Sequence, residues 1–150
     1  MSTTTGMTFV GAAQLLAAHL ADHQLPQPAS LTVMTRGHRS EVTAQMRPAT
    51  VADVAVQLLA WAVTLTTVTV TAWRPPHGDR VHLSIASTLT GPAGAVELDV
   101  FGGVAHDPVL FADLAPDNHQ TIPLGHLRAW AASAANTTRS PVLEAPAVER

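Results

Sequence analysis

Between Thr50 and Trp73 the apolar positions change period once, and that change organises the chain. Val51, Val54, Ala55, Leu58, Leu59, Ala62 and Leu65 recur at spacings of three and four, a single stripe along a helix. Thr50 stands where a cap belongs, and Asp53 three residues later makes a short capping box that also suits the positive helix start. Near Thr64 the period becomes two. Val68, Val70 and Ala72 then share one face, with Thr67, Thr69, Thr71 and Trp73 on the other, and β-branched residues dominate as a strand prefers. A junction this short predicts a helix folded back over the sheet that its own strand joins.

The remaining pattern arranges itself around that pair. Residues 1–7 are expected to be loose. A first helix is predicted from about Thr8 to Asp22, with Ala12, Ala13, Leu16 and Leu20 inward, ended by Pro26 and Pro28. Leu31 and Val33, then Val42, Ala44 and Met46, alternate as a hairpin. Pairing Val33 with Val42 leaves Gly37-His38 as a two-residue turn with Gly first, which suits type II′. The same register opposes Arg36 and Arg39, an unfavourable pair. After Trp73, pairing Ala72 with Val81 and Val70 with Leu83 sets Trp73 opposite Arg80 and Arg74 opposite Asp79, the former a cation–π pair. Leu89 opposite Val96 keeps Glu97 and Asp99 out of the core. Gly102-Gly103 is expected to break this third strand. Asp107-Pro108 reads as a cap with Pro at the first helical position, predicting a short helix to Leu114. A last helix starts near Pro123, with Leu124, Leu127, Ala131 and Ala134 inward.

The expected fold is therefore α+β, in the order α-β-β-α-β-β-β-(α)-α. Its five-stranded antiparallel sheet, a hairpin plus a three-stranded meander, carries helices packed on one face. Residues 1–135 form one domain in this reading, and the Pro-rich residues 136–150 a disordered tail.

Composition narrows the function. Hydrophobic residues are 47% of the chain and charged residues 13%, enough for a core, yet no apolar run approaches the roughly 20 residues that span a bilayer. The start MSTTTGM has no basic residue, so a secretory signal is not expected and the cytoplasm is. There is no Cys, which removes disulfides, thiolate catalysis and Cys-based zinc sites. A net charge of −3 argues against a general nucleic-acid binder. Residues 95–120 hold five acids and no Arg, so the negative charge is concentrated there.

Several groups invite chemical readings. His19 and His23 share a helix face at i, i+4, a candidate metal pair, but Leu20 stands where HEXXH needs glutamate. A solvated or helix-end role is the commoner use of such a pair. Glu97 and Asp99 sit about 7 Å apart by strand rise. With His106 and Asp107 they make an acid and His region, extending to His119, in which a small enzyme or small-ligand site is conceivable; exposed acids on a sheet face explain the same residues. His82 falls on the same outer face but, in the expected register, away from Asp99. Arg36, His38 and Arg39 at the hairpin tip suit an anion, or nucleic acid, if they converge, and a solvated loop if they splay. No phosphate-loop or GxSxG pattern occurs. No cofactor is implied.

The outer sheet face is the more informative surface. Thr69, Thr71, Trp73, Arg80, His82 and Phe101 would lie there, threonines mixed with a few large rings, as on a sheet that meets another surface. The expected function is thus a non-catalytic module that binds a protein partner or itself. The stretches AWRPPHGDRVHLSI, VELDVFGGVAHDPVLF and IPLGHLRAW resemble small actinomycete proteins, across roughly residues 50–131. That resemblance implies a bacterial source and brings no activity, ligand or partner with it.

Overall fold

The computed structural model describes residues 7–139. Helix α1 (Phe9–His23) leads into strands β1 (Ser30–Arg36) and β2 (Arg39–Met46), then helix α2 (Val51–Ala62). Strands β3 (Thr69–Arg74), β4 (Arg80–Gly91), β5 (Gly94–Ala105) and β6 (Asn118–Thr121) follow, and helix α3 (Leu124–Arg139) comes last. One six-stranded sheet contains every strand, in the order β1-β2-β5-β4-β3-β6. No helix among the described residues is long and apolar enough to cross a membrane.

The helices begin and end where local chemistry dictates. Thr8 and Thr50 accept from Gly11 and Asp53 backbone N–H groups at 3.0 and 3.1 Å, each satisfying a donor with no helical partner. Helix α1 stops at Gln24, which adopts the left-handed conformation at φ 49° and returns its N–H to the last carbonyls. In the first hairpin, Gly37 takes φ +61° and the turn pairs Arg36 with Arg39, Val33 with Val42 and Leu31 with Ala44, as the alternation and turn chemistry require. Leu89 likewise pairs with Val96.

The core lies between one sheet face and the helices. Val42, Ala44, Val70, Leu83, Ile85, Leu98 and Val100 point inward from the strands, and Ala12, Leu16, Val54, Leu58 and Leu127 meet them from the helices. Trp61 on α2, fully buried, is the largest side chain there and extends the stripe beyond the residues that periodicity marked. Helix α2 lies on β4 and β5, α1 on β1 and β2, and α3 against α2.

Five expectations require correction. The sheet has six strands and is mixed, because β2 runs parallel to β5, pairing Val42 with Leu98 and Ala44 with Val100. The last strand of the β3-β4-β5 meander keeps a free edge, and the hairpin docks there. Strand β6 caps the opposite edge, on β3. Gly102 and Gly103 do not end β5. A Cβ at Gly102 would stand 2.9 Å from Val54 Cγ1, so the glycine lets α2 approach the sheet, a reason that lies outside the strand itself. The β3–β4 register is two residues from the expected one, with Ala72 opposite Leu83 and Trp73 opposite His82 in place of Arg80. Pro75 and Pro76 supply no ladder donors, and Arg74 is drawn instead to β6 and the Leu114 carbonyl. Residues 108–113 form turns and no helix, although Asp107 does cap them, accepting from Val109 N–H at 2.8 Å. Helix α3 carries regular structure through 136–139, into the expected tail; residues 1–6 and 140–150 lie outside the described residues.

Candidate functional site

All three helices cover one side of the sheet. On the other, the described residues place no element over β2, β5, β4 and β3. Register fixes what shares that open face. Thr71, Ser84, Phe101 and Gln45 form its middle row; Trp73, His82 and Gly103 form the row to one side, and Thr69, Ala86, Asp99 and Thr43 the row to the other. Strand β6 adds His119 beside Trp73.

These positions bring four rings into contact. His119 stacks on Trp73 with centroids 5.9 Å apart and planes at 19°. Trp73 meets His82 edge-on at 5.2 Å, and His82 stacks on Phe101 at 5.1 Å. Trp73, His82 and Phe101 are each half-buried by their neighbours alone. Between aromatic side chains such contacts add roughly 0.5–1.5 kcal/mol each beyond area burial, and here they link the four rings in one continuous row. Burial holds the His82 imidazole below its ordinary pKa, and the Arg80 charge lowers it further.

Asp99 lies beside the row. A shallow hollow of about 250 Å³ is lined by Thr43, Thr71, Trp73, His82, Ser84, Asp99, Phe101 and His119. A neighbouring hollow of about 400 Å³ shares Thr43 and Asp99 and adds Glu41, Ala86, Thr88 and Glu97. His82 lies opposite Gly103 and so four residues along from Asp99, as the expected β4–β5 register has it; the two nonetheless line one hollow, and the shift in the β3–β4 register is what brings Trp73 to His82 there. Asp99 is exposed by area, yet surrounding protein desolvates its carboxyl enough to raise its pKa above the ordinary value. Glu97 has Glu41 directly beside it on the parallel strand, a like-charged neighbour, and Arg39 Nη1 approaches Glu97 Oε1 at 3.9 Å between exposed side chains.

The other candidates are dispersed. His106 and Asp107 do not join Asp99: the His106 ring stacks on Phe111 at 6.3 Å, its Nε2 is buried without a partner, and the Asp107 carboxylate is engaged in its cap. Arg36, His38 and Arg39 are all exposed, and Arg39 turns to Glu97, so the hairpin tip gathers no anion site. His19 and His23 do come together, with ring centroids 4.6 Å apart, but His19 is only 9% exposed. Its Nε2 lies 2.7 Å from Thr64 Oγ1, which itself donates to the Trp61 carbonyl. The Thr64 hydroxyl proton is thus committed, so His19 Nε2–H is the donor and that nitrogen cannot ligate a metal. Burial, then the His23 charge, keep the His19 pKa low, against a smaller opposing effect of Asp22. No group of three or more His, Asp or Glu side chains among the described residues is arranged to hold a metal ion.

His119 is the residue that sequence reasoning places in the wrong company. It is legible only as part of an acidic stretch, and its ring contact depends on β6, a strand of four polar residues with no alternation to reveal it. No protein-family model, no curated protein and no solved structure matches this chain.

Proposed function

We propose that the protein is a non-catalytic recognition module that binds a protein through the open face of its sheet. The observation that carries this reading is the row His119–Trp73–His82–Phe101 at the centre of the sheet face that none of the described helices covers. Protein interfaces have this anatomy, with aromatic residues at a core poor in charge and a polar rim around it. Here Arg80 stands at one end of the face and Glu41, Glu97 and Asp99 towards the other. Large rings already held in place lose little freedom on binding, which is why Trp anchors carry binding energy. Thr69, Thr71 and Thr43 supply a flat polar surround with strand-forming side chains.

Peptides selected from a random library on the immobilised protein test the reading. Those that bind should lose at least about 30-fold in affinity on Trp73→Ala, the loss expected of an interface hot spot. Binding that survives both Trp73→Ala and Phe101→Ala unchanged refutes it.

A second reading has its own observation. The larger hollow gathers Glu41, Glu97 and Asp99, so a small cationic ligand would find three carboxylates there. It is half polar and open, unlike the mostly apolar clefts that enclose small molecules, and the first reading is preferred. The hairpin-tip reading, nucleic-acid association through Arg36, His38 and Arg39, has no comparable support.

A further inference from the structure

We infer that the partner of the open face is a second copy of this chain, packed face to face about a two-fold axis along the Thr71–Ser84–Phe101 row. This rests on the reading of that face as a protein-binding surface and adds the identity of what covers it.

The argument is one of self-complementarity. A two-fold axis lying in the interface, perpendicular to the strands, reverses each strand and returns it opposite itself. With the axis on the middle row, Phe101 meets Phe101 of the partner subunit. The row of Asp99 and Ala86 then faces the row of Gly103 and His82. Glu97, one row further out, faces the row of Arg80 and Ala105. Each acidic position therefore comes down on the end of the partner that carries Arg80 and His82, and no acid faces an acid. Gly103 sharpens the fit: it has no side chain on the open face, and the Arg80 guanidinium lies over it, with Nη1 3.5 Å from where a Cβ would be. An Asp99 carboxylate arriving at that row meets the Arg80 guanidinium that covers the glycine. Within the monomer Asp99 makes no ion pair among the described residues, and its carboxyl is already partly desolvated. An axis through the Asp99 row would instead oppose Asp99 to itself, which like-charge repulsion disfavours.

The area is that of a small interface, suited to a weak, concentration-dependent dimer. Six strands about 4.8 Å apart, over the eight residue steps from Arg80 to Thr88 at about 3.3 Å each, give a face of at most roughly 750 Å². Stable interfaces bury about 800 Å² per partner.

A charge exchange tests the pairing. Sedimentation equilibrium on the full chain should show a dimer. Arg80→Glu and Asp99→Arg should each weaken it at least about tenfold, and the double variant should recover to within a few-fold of the wild type. Circular dichroism melts keep folding separate, and the milder Arg80→Ala and Asp99→Asn should weaken the dimer in the same direction. A monomer at every concentration overturns the inference, as does a double variant no tighter than the singles. Neither result touches the recognition reading if selected peptides still depend on Trp73. Peptides indifferent to Trp73 remove that reading, whatever the sedimentation shows.

Discussion

Replacing Gly102 with alanine adds one methyl group where α2 rests on β5. In an unconstrained strand this change would stabilise the fold by about 0.4–1 kcal/mol, since glycine has more freedom to lose on folding. At Gly102 the new Cβ would stand 2.9 Å from Val54 Cγ1 and 3.1 Å from Cγ2. Carbon atoms prefer about 3.5–4.0 Å, so the helix must retreat by roughly half an ångström or more. Val54 is fully buried in the first turn of α2, and in a close-packed core it has little space to swing into. Overpacking of this kind costs about 1–3 kcal/mol. For a chain of this size that lowers the melting temperature by roughly 2–12 °C, read by calorimetry. Val54→Ala alone should also destabilise, by about 2 kcal/mol, through loss of buried methyl groups. Combined, the two changes compensate, because the methyl group added at Gly102 enters the space that the Val54 side chain vacates. The double variant should be more stable than the sum of the singles by about 0.5–3 kcal/mol. A stabilised Gly102→Ala, or strict additivity, would refute the packing of α2 described above.

Titration supplies two further predictions. His19 has a folded pKa below its ordinary 6.5, so its contribution to stability is complete above pH 6.5 and is lost as pH falls through the folded value. The melting temperature should drop between pH 7.5 and 5, and His19→Gln should flatten that slope, leaving the part due to His82; an unchanged slope contradicts the assignment. Asp99 runs the other way, its carboxyl favouring the folded state at low pH and losing that contribution as pH rises through the raised folded value. In the monomer, at concentrations too low for self-association, carbon-detected NMR should give it a midpoint above 3.8, and a monomer midpoint at or below that value contradicts its partial desolvation.

Where local pattern decides structure, the chain can be read directly. Thr50, Asp53 and the stripe to Leu65 specify α2, and the β1–β2 register follows from Gly37 and alternation together. Alternation is blind to a shift of two residues, because such a shift leaves every side chain on its original face. That is why it assigns the inner and outer residues of β3 and β4 correctly while giving Trp73 the wrong neighbour. The parallel β2–β5 pairing and the close approach at Gly102 depend on partners far along the chain. Of the candidate site, Trp73, His82 and Phe101 are legible as outward positions. The meeting of Trp73 with His82, and the addition of His119, are not, since they need the true β3–β4 register and β6.

The central claim is that the open face does the recognising, and the three tryptophans report on it separately. Trp73 lies on that face, Trp61 is fully buried and Trp130 is half-buried on α3. The side-chain N–H signals of nitrogen-labelled protein, followed while a selected peptide is added, make the decisive measurement. The account predicts that the Trp73 signal moves with saturation while that of Trp61 stays fixed. Movement of Trp130 and the helix amides, with Trp73 unchanged, would place recognition on the opposite side of the molecule and contradict it.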